Sequence, residues 1–348
     1  MSQGIYSAPR LFLGGTEIMN FTNISYSNKG NNTISTLNIK ISDPDLDNAG
    51  LLGKEVVFFL NYGSNDTVPF FRGYIKEYTP TEKNISIKAR DVLTFLAGTD
   101  TPPLVITDDS NFDGFTLSQM LFDYVERVVN RNGVKIGLDM LNDTDPPVTL
   151  TGYRKSNIHP LKIVQQKIPK NISSISDIRS YRLIVRDDGT KSNICFVKEQ
   201  DADSSGITFG FNNGIEKLSY KKRPDPNYYT MVVNKNIMEY QHNSLPIGIT
   251  MGKMGKKKYE FPDEAREDAF LQATVAEDKK EITITTNKGH YLEIGNVINL
   301  VTPEYPDITG KHRILSKSVQ YTGTKVSCQL KLSRESAFLA DYLGEVEL

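Results

Sequence analysis

The sequence predicts a mainly β protein with an α+β middle: two similar small antiparallel β-barrel domains and an α/β insertion domain between them. Three observations carry this. Residues alternate apolar and polar in short runs near both ends of the chain. The middle switches to helical spacing. The two β segments can also be laid on one another, glycine on glycine and strand on strand.

In the first segment Leu37, Ile39 and Ile41 alternate with Asn38 and Lys40, the period-two pattern of a half-buried strand. Val56 to Leu60 is a short apolar run of β formers, Phe70 to Ile75 follows a proline, and Ile85, Ile87 and Ala89 alternate with Ser86 and Lys88. Short strands at this spacing suggest a small barrel or sandwich. The middle opens on a loop rich in Pro and Asp, Pro102 to Asn111. Thr116 and Gln119 then form a capping box ahead of Leu117, Met120, Leu121, Tyr124, Val125 and Val128, which recur at helical spacing until Asn132-Gly133. A second helix is expected to start near Pro160. Tyr181 to Val185 and Ile194 to Val197 flank Asp187-Asp188-Gly189, a hairpin signal. The last segment returns to β, with strands at Ile207 to Phe211, Tyr229 to Val233, Ile282 to Thr286, Val297 to Val301, Arg313 to Val319 and Val326 to Leu332, and a helix from Pro262 to about Val275. The division reads 1–100 for the first barrel, 101–205 for the middle, 206–340 for the second barrel with its helix near 262–275, and 341–348 for a C-terminal tail.

The internal match is detailed. Gly53 precedes Val56 to Leu60 as Gly295 precedes Val297 to Val301. Gly73-Tyr74-Ile75 stands against Gly310 and Arg313-Ile314-Leu315, and Tyr78 against Tyr321. Ile85-Ile87-Ala89 matches Val326-Cys328-Leu330. Arg90-Asp91 matches Arg334-Glu335, and Phe95-Leu96-Ala97 matches Phe338-Leu339-Ala340. The glycine-to-phenylalanine offsets are 42 and 43 residues.

Composition bounds the function. Lys plus Arg is 41 against 42 Asp plus Glu, so the formal net charge of -1 argues against a main partner that is nucleic acid or an anionic membrane. No signal peptide is expected from Met1 to Gly15, and no window approaches the roughly 20 apolar residues that span a bilayer. The two cysteines, Cys195 and Cys328, sit alone in alternating runs and read as small buried thiols. Without a secretion signal, the sequons at Asn84 and Asn171 carry little meaning.

Candidate chemistry is sparse. Asp43, Asp45 and Asp47 have the alternate spacing of a calcium loop, but Asn48 and Lys54 stand where Gly and Glu are needed and Pro44 interrupts, so a solvated turn is the better reading. His159, His242, His290 and His312 are far apart and form no ligand pair. No nucleophile elbow, P-loop or dinucleotide glycine pattern occurs, and nothing singles out a glycosidase carboxylate pair. Lys253, Lys256, Lys257 and Lys258 read as an exposed loop, or as a contact for an acidic neighbour. Tyr228 and Tyr229 read as core or interface aromatics. No residue is assigned a catalytic, cofactor-binding or metal-ligating role, and no cofactor is expected.

In the order of its parts the sequence resembles the baseplate hub proteins of contractile-tailed phages, including the late control D type. The resemblance rests on Ile41-Ser42-Asp43-Pro44, Leu52-Gly53-Lys54-Glu55-Val56, Phe71-Arg72-Gly73-Tyr74-Ile75 and Ile85 to Asp91, and on Leu292 to Leu332, which looks like the second barrel of such hubs. It implies a non-enzymatic homotrimer that joins the tail tube to the central spike. Six tube-like barrels would imitate a six-fold ring, with strands continuing from one barrel to the next, and the middle domain would lie outside and contact other baseplate proteins. DNA would be passing cargo only, no membrane would be entered, and the protein would assemble in the host cytoplasm for the virion tail. The different-class alternative is a tail-associated cell-wall hydrolase or carbohydrate-binding protein, against which the absence of Trp weighs.

Overall fold

The computed structural model describes residues 8–30, 33–43, 50–61, 66–97, 109–129, 137–138, 149–151, 154–156, 159–170, 181–198, 204–222, 228–233, 236–241, 252–259, 280–323 and 325–334. The first strands are β1 (Arg10–Leu13), β2 (Thr16–Ile18), β3 (Phe21–Asn28), β4 (Thr36–Ile41), β5 (Glu55–Phe59), β6 (Phe71–Pro80) and β7 (Ile85–Arg90), followed by the short helix α1 (Leu93–Leu96). The middle holds β8 (Asp109–Asn111), α2 (Leu117–Tyr124), β9 (Gly137–Leu138), β10 (Arg154–Ser156), α3 (Pro160–Lys170), β11 (Tyr181–Asp187) and β12 (Ser192–Lys198). Then come β13 (Ser204–Gly210), β14 (Ile215–Lys222), β15 (Tyr228–Val233), β16 (Asn236–Gln241), β17 (Gly252–Tyr259), β18 (Lys280–Thr286), β19 (Val297–Val301), β20 (Gly310–Tyr321) and β21 (Val326–Arg334).

The chain divides into two compact units. One comprises Met1–Asp203, Asn287–Ile294 and Leu315–Gln329; the other comprises Ser204–Thr286, Gly295–Ile314 and Leu330–Leu348. The cuts fall inside β20 and β21, so each of these strands supplies residues to both units.

In the first unit the strand order is β20-β3-β4-β7-β6-β5-β1-β2, with β20 represented by its C-terminal half. The alternation seen in sequence becomes burial. Leu37, Ile39 and Ile41 of β4, Val56 and Phe58 of β5, and Ile85, Ile87 and Ala89 of β7 are all buried, and their polar neighbours are not. Helix α1 buries all four of its residues, and Tyr74 packs edge-on against its Phe95 at 5.0 Å. The capping box is present: the Thr116 hydroxyl accepts from Gln119 N at 3.2 Å, and Gln119 Oε1 accepts from Thr116 N at 2.9 Å. Helix α2 buries Leu117, Met120, Leu121 and Tyr124, then passes into one wide π turn over Val125–Val129; the expected end at Asn132-Gly133 lies outside the described residues. Helix α3 begins at Pro160, as its sequence predicts. Strands β11 and β12 form the expected hairpin, Tyr181 opposite Lys198 through Asp187 opposite Ser192.

The second unit carries β14 antiparallel to β18, β13 parallel to β19, β19 antiparallel to the first residues of β20, and a three-stranded sheet in the order β16-β15-β17. The last sheet corrects one expectation. The lysine-rich run Lys253 to Lys258 is not a loop but strand β17, parallel to β15. A parallel partner distant in sequence supplies its ladder, and no local pattern signals such a partner. The helix expected over 262–275 and residues 45 and 47 of the acidic trio lie outside the described residues.

Candidate functional site: a repeated strand set and its edges

The construction begins at two glycines. Gly53 has φ +78° and Gly295 φ +88°, a left-handed conformation that a side chain resists. Gly53 N donates to Ile75 O at 2.9 Å while Ile75 N donates to Lys54 O at 3.0 Å. Gly295 N donates to Ile314 O at 2.8 Å while Ile314 N donates to Asn296 O at 3.0 Å. The ladders that follow share one register: Glu55 faces Tyr74 and Val56 faces Gly73, as Val297 faces Arg313 and Ile298 faces His312.

The likeness extends through the neighbouring strands. Strand β3 meets β4 with an irregularity between Phe21 and Asn23, and β14 meets β18 with one between Ile215 and Lys217. Counting from these bulges puts Ile24-Ser25-Tyr26 on Leu218-Ser219-Tyr220, and Leu37 and Ile39 on the buried Ile282 and Ile284. The turn Thr81 to Asn84, closed at 2.8 Å, matches Thr322 to Lys325, closed at 3.0 Å. It leads into Ile85, Ile87 and Ala89 on one side and Val326, Cys328 and Leu330 on the other, all buried. The first set runs β3-β4-β7-β6-β5 and the second unit's strands run β14-β18-β21-β20-β19; the likeness stops at the sixth strand, β1 being antiparallel to β5 and β13 parallel to β19.

Four of the sequence equivalences are corrected by this register. His312, not Gly310, occupies the place of Gly73, because both lie two residues before the locked isoleucine. Counting back from the shared turn, Tyr321 matches Pro80 rather than Tyr78, since β20 is two residues longer than β6 between lock and turn. Arg90 matches Lys331 and Asp91 matches Leu332, because β21 continues to Arg334. The supposed partner of Asp91, Glu335, and the triplet Phe338-Leu339-Ala340 lie outside the described residues.

The outer edge of β3 is covered. Within the first unit Lys317–Tyr321 runs antiparallel to it, Lys317 opposite Asn28 and Tyr321 opposite Ile24. Lys317 is buried there and donates to the carbonyls of Leu292 at 2.6 Å and His290 at 3.1 Å, with the Tyr26 and Phe70 rings 5.6 and 5.3 Å from its ammonium. Burial pulls its pKa down, and the carbonyls and ring faces supply the solvation that water no longer does. Tyr26 meets Phe70 edge-on at 5.0 Å, and burial raises its pKa. Burial also pushes the Cys328 thiol up to about 12, so this cysteine behaves as a small hydrophobe; Cys195 is likewise a buried thiol outside any disulfide, as its pattern predicts.

The hairpin of the middle is clamped to β6. Arg72 Nε donates to Asp187 Oδ2 at 2.5 Å, its Nη2 to Gly189 O at 3.1 Å and its Nη1 to Glu55 Oε1 at 3.1 Å. The Arg72 and Asp187 side chains are 9% and 7% exposed. Asp188 anchors the turn itself, accepting from Thr190 Oγ1, Thr190 N and Lys191 N. The bonds from Thr190 and Asn193 come first among those that hold its carboxyl well below the usual range.

A cavity of about 390 Å³ in the first unit is lined by charged groups, among them Arg72, Arg182, Asp91, Asp187 and Lys317. Asp91 is buried and accepts from Ser35 N at 2.8 Å and Leu93 N at 3.1 Å; desolvation still raises its pKa to about 6. The charges of this cavity tie strand ends, hairpin and helix start together. Among the described residues no three His, Cys, Asp or Glu side chains cluster as a metal site would require, and no helix is long and apolar enough to cross a membrane. Of the histidines, His312 is buried in β20 with Nε2 2.7 Å from Ile308 O, and His242 lies outside the described residues.

No protein-family model matches the chain, and no curated protein matches it. Solved structures do. A tail protein from Neisseria meningitidis aligns over 96% of this chain and 98% of its own at a TM-score of 0.64 and 12% identity. The 43 kDa tail protein of prophage MuSo2 from Shewanella oneidensis aligns over 95% and 99% at 0.62 and 12% identity. An Escherichia coli component of the type VI secretion system, described as structurally similar to the T4 bacteriophage tail proteins gp27 and gp5, aligns over 92% and 76% at 0.57 and 9% identity. This chain therefore shares its mainly β fold with these tail and secretion-system proteins.

Proposed function

We propose that this protein is the structural baseplate hub of a phage contractile tail, a homotrimer joining the tail tube to the central spike, with a non-catalytic role. The observation that carries the reading is the repeated strand set. One chain holds two copies of the same five-strand order, lock and register, so three chains supply six quasi-equivalent elements; in this reading each set builds one small barrel of the ring. That number lets a three-fold assembly present a face to a six-fold tube. The full-length likeness to tail proteins supports a place in the virion tail, among tube, spike and other baseplate proteins. DNA passes along the axis as cargo, consistent with a formal net charge of -1, and assembly takes place in the host cytoplasm.

Light scattering on the purified chain tests this. The expected mass is three times 39.1 kDa, alone or on adding the spike protein. A chain that stays monomeric with spike and tube proteins present, or that turns over cell-wall polymer, overturns it.

A further inference from the structure

We propose that the cavity of about 390 Å³ in the first unit is a binding site for a small organic monocarboxylate, its charge received by the Lys317 ammonium and its body laid against the neighbouring rings. The site belongs to this unit alone and does not rest on the trimeric reading.

The charges of the cavity do not cancel among themselves. Arg72, Arg182, Arg186 and Lys317 line it as cations, against the carboxyl groups of Asp91, Asp187 and Glu293. Each carboxyl group is already engaged. Asp187 accepts from Arg72, Glu293 accepts from Arg186 Nη2 at 3.5 Å, and Asp91 accepts from the backbone N–H groups of Ser35 and Leu93. Lys317 is buried, and none of the described carboxylates forms an ion pair with it. An ammonium has three N–H bonds, and the carbonyls of Leu292 and His290 take two of them. Carbonyl dipoles and ring faces solvate this ammonium but leave its charge uncancelled, and a buried charge without an opposite one costs stability. An anion in the cavity would supply the missing charge and accept the third N–H.

The surroundings select the class of anion. One uncancelled charge suits a monoanion, because a phosphate dianion would face Asp91 and Asp187 in the same space. The walls beside Lys317 are the rings of Tyr26 and Phe70, packed edge-on with centroids 5.0 Å apart. Such walls take an apolar body, and the volume limits that body to a single ring or a short chain. The cavity also has an opening. Val68 and Tyr291 at its rim are 47% and 58% exposed, and the Arg186–Glu293 pair beside them is half exposed on both sides. A carboxylate on an apolar body is offered by a free acid or by the C-terminal residue of a peptide.

Calorimetric titration of the full-length protein tests the site. Benzoate is the free-acid probe, N-acetylphenylalanine the chain-end probe, benzyl alcohol the neutral isostere and inorganic phosphate the dianion, all at one ionic strength. A carboxylate should bind at least about tenfold more tightly than the alcohol or phosphate, and the tighter of the two carboxylates names the source. K317M should weaken that carboxylate about tenfold and leave the alcohol unchanged, a split that a merely structural role of Lys317 would not produce. Should K317M fail to fold by circular dichroism, R186E at the exposed rim carries the same test, with carboxylate binding reduced roughly threefold and the alcohol again unchanged. No carboxylate binding up to about 10 mM, or binding undiminished in the folded variants, overturns the proposal. The cavity then holds water, and carbonyls and rings alone keep Lys317.

Discussion

Removing both partners of the Arg72–Asp187 pair should cost clearly less than the two single removals added together. Asp187 receives Arg72 Nε at 2.5 Å and also accepts from Gly189 N at 2.8 Å and Ser192 Oγ at 3.3 Å. Both side chains are less than a tenth exposed. Breaking such a pair from one side costs about 3–5 kcal/mol, because the remaining charge stays buried without its partner. Asp187→Ala leaves Arg72 with Glu55, whose side chain is 37% exposed and therefore a weaker counter-charge, so the expected loss is about 3 kcal/mol. Arg72→Met leaves the Asp187 carboxylate with only its turn bonds, and about 3 kcal/mol is expected again. The double variant R72M/D187A carries no uncompensated charge, so its loss should fall short of the sum by about 2 kcal/mol. Denaturant unfolding of the four proteins at one concentration, with m unchanged, measures this cycle. Single losses below about 1 kcal/mol, or a strictly additive double variant, would show that the clamp does not hold the hairpin to β6.

Two further outcomes follow from the same unit. A Cβ on Gly73 would sit 2.2 Å from the Arg90 carbonyl oxygen and 2.7 Å from Phe71 Cζ, so Gly73→Ala should cost about 3 kcal/mol by denaturant midpoint, since a backbone oxygen cannot swing aside. A loss under about 1 kcal/mol would mean that β6 and β7 can part there at little cost. Asp91 titrates near 6 in the fold against about 3.9 unfolded, so the unfolded chain releases this proton first. The stability it contributes therefore falls as pH rises from about 4 to about 6, by on the order of 3 kcal/mol, and is level above that. The difference between wild type and Asp91→Asn, measured from pH 4 to 7, should show this decline; a flat difference curve refutes it.

What could be read in advance was what neighbours in sequence decide. Leu37, Ile39 and Ile41 declare a strand because one face of β4 is buried and the other is not. Thr116 and Gln119 cap α2 by bonds that reach three residues, and Asp187-Asp188-Gly189 turns a hairpin that needs nothing beyond itself. The two glycines marked the repeat because a left-handed backbone constrains the residue type wherever it occurs.

Strands β3 and β14 escaped notice, although Ile24-Ser25-Tyr26 and Leu218-Ser219-Tyr220 were there to be matched. In β3 only Ile24 is fully buried, so its alternation is blurred, and what holds it in place includes a half-strand nearly 300 residues away. The lysine-rich β17 was misread for the same reason, its ladder coming from a parallel partner. The mistaken matches of Gly310 with Gly73 and of Tyr321 with Tyr78 show the limit from the other side: letters can be paired in order, but two extra residues in β20 change which of them face the same neighbours. Sequence alone thus determined which segments are strands or helices and that a set of them recurs. Register, edge coverage and the charges gathered around Arg72, Asp91 and Lys317 were decided by the tertiary structure, because each depends on groups that only folding brings within hydrogen-bond distance.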